Sequence, residues 1–112
     1  MRNVGFKEHA DPKPTEVVRR LVERFQPDRI YLFGSRVHGE AAADSDYDVL
    51  VVVPESDESG HKRMRDAYRA LWEVDLPVEV IVLTRDEFEQ DLPVPASLPA
   101  TVAREGKLLY AA

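Results

Sequence analysis

The chain has 112 residues, 44% hydrophobic and 32% charged, with eight prolines, no cysteine and a net charge of −6. That length fits one domain over residues 1–112 with a core of ordinary size, and the lack of cysteine excludes disulfides and thiolate metal sites. The acidic balance disfavours a broad nucleic-acid surface, and no apolar run reaches membrane length or has the form of a signal peptide, so a cytoplasmic protein with no membrane partner is expected.

Residues 1–13 are polar and read as a loose N-terminal arm. Thr15 is a good N-cap for a first helix: Val17, Val18, Leu21, Val22 and Phe25 recur at helical spacing, with Glu16, Arg19, Arg20, Glu23 and Arg24 on the other face. Pro27 ends that helix, and Ile30–Phe33 form a short buried strand. A second strand runs from Tyr47 to Val53, and its unbroken apolar run, Val49 to Val53, implies burial on both faces. After an acidic loop over 54–60, Met64, Ala67, Tyr68, Leu71 and Trp72 mark a second amphipathic helix, with Arg63, Arg65 and Arg69 on its solvated side.

Pro77 precedes a third strand, Val78–Leu83, interrupted by one charge at Glu79. Thr84-Arg85-Asp86-Glu87 has the form of a capping box opening a short helix. Three prolines make 92–99 a turn region, Pro99 opens a last helix through Glu105, and Gly106 terminates it. Leu108 to Tyr110 add a short extended piece, while Leu92, Val94, Leu98, Leu108 and Leu109 either cover the core or serve an interface. This order predicts an α/β fold, a small mixed sheet with helices packed on it.

The segment between the first two strands carries the chemistry. Gly34-Ser35-Arg36 follows the strand that ends at Phe33, and ten residues separate Ser35 from the Asp46-x-Asp48 pair at the mouth of the next. Alternate strand residues share a face, so Asp46 and Asp48 project together and repel unless a cation neutralises them. A glycine turn lets backbone N–H groups approach phosphate oxygens, and the Ser35 hydroxyl and Arg36 guanidinium would add donors. Glu79 is a charge inside an apolar strand, costly unless exposed, paired or metal-bound. The competing structural readings are an ordinary loop-to-strand turn for the aspartates and an aggregation-deterring edge charge for Glu79. His38 reads as a solvent-exposed loop residue, and Asp75 as a competitor to Glu79 that lies outside the strand.

Gly34-Ser35, ten residues, then Asp46-x-Asp48 resembles the signature of the nucleotidyltransferase superfamily typified by DNA polymerase beta. The short length and the Gly-Ser-Arg-x-x-Gly form are most similar to minimal nucleotidyltransferase (MNT) domains, which are often paired with a HEPN-domain partner in toxin–antitoxin modules. The resemblance implies Asp46, Asp48 and Glu79 as catalytic carboxylates holding two Mg2+ ions, and Gly34, Ser35 and Arg36 as the nucleotide-binding set. It implies transfer of a nucleoside monophosphate, AMP from ATP, to a hydroxyl, with a tyrosine of a HEPN toxin as acceptor. A second reading is a non-catalytic antitoxin that neutralises its partner by contact, its nucleotide site vestigial or regulatory. A small-molecule transferase resembling kanamycin nucleotidyltransferase shares the motif but would need a second domain.

Overall fold

The computed structural model describes residues 13–34, 37 and 46–112. The expected N-terminal arm falls on residues 1–12, outside the described residues. The elements run α1 (Lys13–Phe25), β1 (Arg29–Phe33), β2 (Tyr47–Val53), α2 (Gly60–Ala70), β3 (Val78–Thr84), α3 (Arg85–Asp91), α4 (Leu98–Glu105) and β4 (Lys107–Ala111). The strands form one sheet in the order β3-β2-β1-β4. β1 pairs antiparallel with β2 and β4, and β2 pairs parallel with β3, so the sheet is mixed as the sequence predicts. The extended piece near the C-terminus is thus a true edge strand. A register shift between Ile30 and Tyr31 leaves Leu109 as its bulged residue.

Strand alternation sorts the core into two layers. Tyr47, Val49, Val51 and Val53 of β2 face one side, with Val80 and Val82 of β3, and pack against Val17 and Leu21 of α1, Ala67 of α2 and the α2 C-cap residue Leu71. Leu50 and Val52 face the other side with Tyr31, against Phe88 of α3 and Val102 of α4, and Ile81 and Leu83 join them. β2 is therefore covered on both faces, which accounts for its continuous apolar run. Tyr31 stacks on Phe88 with ring centroids 5.9 Å apart, fixing α3 over the sheet.

Helix ends follow local chemistry. Ser59 caps α2 by accepting from the Lys62 N–H, and Ser97 caps α4 by accepting from Ala100, with Leu98 and Pro99 opening the helix. Thr84 and Glu87 form the predicted reciprocal capping box of α3. α1 begins at Lys13, two residues before the expected cap, so Thr15 lies inside its first turn.

Two expectations for α2 are corrected. Arg63 is 5% exposed and not on a solvated face. Its guanidinium donates to the Val82 carbonyl, the Glu58 carbonyl and the Glu87 carboxylate, joining α2, β3 and α3. Burial of an arginine is tolerable because these acceptors replace its water. Trp72, placed on the apolar face by its spacing, stands beyond the helix end and is 74% exposed. Of the apolar residues in the last third, Leu98 and Leu109 pack on the core, whereas Leu92, Val94 and Leu108 are exposed. No described helix is long and apolar enough to cross a membrane.

Candidate active site

The sheet pairing brings together residues that are far apart in sequence. Asp48 is the second residue of β2, and its register partner on β3 is Glu79. On its other side the partner is Phe33 of β1. In-register neighbours share a face, so Glu79, Asp48 and Phe33 form one row across three strands. The row continues the α3/α4 side, ahead of Ile81, Leu50 and Tyr31. Asp46 is exposed immediately before β2. The entry of β2 is tied to that of β3 by a 2.8 Å bond from the Tyr47 N–H to the Pro77 carbonyl, which holds the two acidic strand mouths side by side.

Gly34, the first residue after β1, has φ +78, the left-handed region that glycine enters without penalty. A Cβ built there would overlap the Asp48 carboxylate oxygen and come within 3.3 Å of its carboxyl carbon. The glycine backbone and the Asp48 carboxylate are therefore in direct apposition.

Electrostatics agree with this grouping. Asp48 has its pKa pushed above the usual aspartate range, first by burial, then by the charges of Glu79 and Asp46. The oxygens of Asp48 and of the Glu79 and Asp46 carboxylates that act on it are hard donors, of the chemical kind that suits a divalent cation such as Mg2+. The fit is incomplete in geometry: among the described residues, no three acidic or histidine side chains converge closely enough to hold a metal ion. Ser35 and Arg36 lie outside the described residues, as does His38. Asp75 is exposed in the connector before β3, apart from the strand as expected. Two clefts of about 310 and 180 Å³ border α1, lined by residues such as Arg19, Arg20 and Arg24 and by Arg24, Glu55 and Arg63, and neither includes Asp46, Asp48 or Glu79.

Sequence reasoning missed Phe33, whose place beside Asp48 follows only from the antiparallel register. It also missed Tyr68, whose hydroxyl accepts the Val80 N–H at 3.2 Å, one residue beyond Glu79. Helical spacing marked Tyr68 as apolar filling and carried no sign of that polar contact.

The Nucleotidyltransferase domain family profile matches residues 15–108. The chain belongs to that family. Its fold is also similar to solved structures of low sequence identity. One is a chain of a toxin–antitoxin crystallised with AMP-PNP, at TM-score 0.62 and 22% identity, covering 88% of this chain and 73% of that one. A second is a candidate nucleotidyltransferase from Sulfolobus solfataricus, at TM-score 0.56 and 20% identity, covering 94% and 92%. A third is a chain of the toxin–antitoxin MntA-HpeT in which two aspartates, two positions apart, are changed to glutamate, at TM-score 0.59 and 19% identity, covering 88% and 72%. No curated protein matches the chain significantly. The nucleotidyltransferase architecture expected from the motif is thus established, and with it the family's catalytic potential.

Proposed function

We propose that this domain is a cytoplasmic nucleotidyltransferase that moves AMP from ATP to a hydroxyl, with a tyrosine of a HEPN-domain toxin as the acceptor. One observation carries the reading: Asp48 and Glu79 are register partners at the same sheet end, with Asp46 felt electrostatically and the Gly34 turn pressed against Asp48. The toxin–antitoxin structure with AMP-PNP, an ATP analogue, supports the nucleotide and the context. The MntA-HpeT variant alters a pair of aspartates with the same two-residue spacing as Asp46 and Asp48, which supports the acidic pair as the place where function is probed.

In this mechanism Asp46, Asp48 and Glu79 would hold the metal, and that ion would supply neutralisation of the triphosphate and a lowered pKa of the acceptor hydroxyl. Gly34 lets the chain approach the phosphates, and Ser35 and Arg36 supply donors to them. The acceptor oxygen forms a bond to the α-phosphorus as the bond from that phosphorus to the bridging oxygen breaks. Pyrophosphate leaves with the electron pair, and the acceptor proton passes to the Glu79 carboxylate.

The test is transfer of label from α-labelled ATP to a purified HEPN partner, with and without Mg2+, by wild type and by Asp46→Asn, Asp48→Asn and Glu79→Gln. The expected result is Mg2+-dependent labelling that falls by ~100-fold or more in the aspartate variants. Labelling that survives in the Asp46→Asn/Asp48→Asn double variant would refute the mechanism. The incomplete convergence of the carboxylates favours a second reading, an antitoxin acting by contact alone. Full partner neutralisation by a triple carboxylate variant would select it.

A further inference from the structure

From the contacts of α2 with β3 we infer that Tyr68 is a positioning residue for Glu79, acting through the peptide that joins Glu79 to Val80. The inference rests on the proposed role of Glu79.

Among the described residues β3 is an edge strand, paired only with β2. In a strand the N–H and C=O of one residue point to the same side, and the next residue's point to the opposite side. The α2 contacts show which residues turn outward. The Val80 N–H reaches the Tyr68 hydroxyl at 3.2 Å, and the Val82 carbonyl accepts from Arg63 Nε at 3.4 Å. Residues 80 and 82 therefore present their backbone groups to the free edge, and residues 79, 81 and 83 present theirs to β2. The peptide unit after Glu79 is gripped from both sides: its carbonyl belongs to the β2 ladder and its N–H is held by Tyr68.

That grip matters because of where Glu79 lies. It is the second residue of β3, one step from the entry. Strand ends fray, and Glu79 itself is exposed, so few packing contacts hold its backbone at the height of Asp48. On the inner side the connector is tied to β2 by the Tyr47–Pro77 bond. On the outer side, among the described residues, Tyr68 supplies the nearest side-chain hydrogen bond to the peptide that carries Glu79. The Tyr68 ring is 45% exposed. Its hydroxyl is then the specific element, and Phe preserves what packing the ring provides.

Two measurements on Tyr68→Phe test this. The first is amide hydrogen exchange of Val80. The expected result is ~10-fold or greater loss of protection at Val80 with Val82 unchanged; unchanged Val80 protection would overturn the inference whether or not the protein is an enzyme. The second is the Mg2+ concentration giving half-maximal nucleotidyl transfer. Groups that orient metal ligands typically change affinity by 10–100-fold, and the expected rise here is at the low end, ~10-fold, with the KM for ATP at saturating Mg2+ unchanged. Because Tyr68 acts through Glu79, Tyr68→Phe should have no further effect on Mg2+ dependence in a Glu79→Ala background. Additive effects in the double variant would assign Tyr68 a general structural role and overturn the inference. Absence of transfer by the wild type would count against the proposed function, leaving the exchange measurement to decide for or against the Tyr68 grip on Val80.

Discussion

Replacing Gly34 with alanine should separate backbone strain from site geometry. At φ +78 an L-residue pays about 1–2 kcal/mol for the left-handed conformation. The new Cβ would also overlap the Asp48 carboxylate oxygen, but that oxygen ends a short side chain able to swing aside, with the Asp48 Cβ 3.5 Å away. Most of the stability loss should therefore come from the backbone, lowering Tm by about 4–8 °C for a domain of this size. The displaced carboxylate should carry the functional loss. Metal-dependent ATP binding, measured by calorimetry, should fall far more than the fraction of unfolded protein explains. Placing Gly34→Ala in an Asp48→Ala background removes the collision, so its Tm penalty should persist. A Gly34→Ala protein with wild-type Tm and wild-type ATP binding would refute both the left-handed turn and its apposition to Asp48. Gly106→Ala is the comparison: its Cβ would meet the Val102 carbonyl at 2.6 Å and the Leu32 carbonyl at 3.1 Å rather than a carboxylate, so stability should drop while ATP binding by the folded fraction is kept.

Asp48→Asn should raise Tm in the absence of Mg2+. The folded pKa of Asp48 lies above its ordinary value, so the ionised carboxylate opposes folding at neutral pH, and thermal melts at pH 7 should show a gain that disappears at low pH. Thr84→Ala should cost about 1 kcal/mol by removing the cap of α3, read as a shift in the urea midpoint. Glu87 has its pKa lowered by the Thr84 backbone bond, against burial, and by the Arg63 charge. Its stabilisation is therefore complete above the ordinary value of 4.5 and lost as pH falls through the folded pKa, and Glu87→Gln should flatten that acid limb of the melting profile. Arg63→Ala should cost about 2–3 kcal/mol in chemical denaturation, because the carbonyls of Val82 and Glu58 lose a buried donor.

Most of the fold was legible because each element carries its own local signal. Val17, Leu21 and Phe25 announce a helix by spacing, the run Val49–Val53 announces a doubly covered strand, and Thr84 with Glu87 announces a helix start. Arg63, Tyr68 and Trp72 were misread for one physical reason. A helical wheel says which side of α2 a residue occupies, but it does not say that the edge of β3 lies there with an outward N–H and carbonyl to satisfy. Arginine and tyrosine reach from the boundary of an apolar face to such groups, whereas the indole beyond the helix end is exposed. Polar satisfaction is a tertiary property, and periodicity does not encode it.

The same distinction explains why the acidic site was readable at all. Asp46 and Asp48 stand at a strand mouth where turn chemistry alone would tolerate them, and Glu79 stands on an edge where a solvated charge is cheap. Taken singly, each has a bland explanation. The parallel pairing of β2 with β3 puts Glu79 beside Asp48, and there the bland explanations conflict with one another. A sheet under selection for stability alone would not place two carboxylates in adjacent register with a third nearby and a glycine backbone pressed against one of them. Burial first, and then the charges of Glu79 and Asp46, raise the pKa of Asp48, which costs stability when the carboxylate is ionised. Local rules broken together at one place are what the proposed function asks of a site that binds a charge of the opposite sign, and they support that reading.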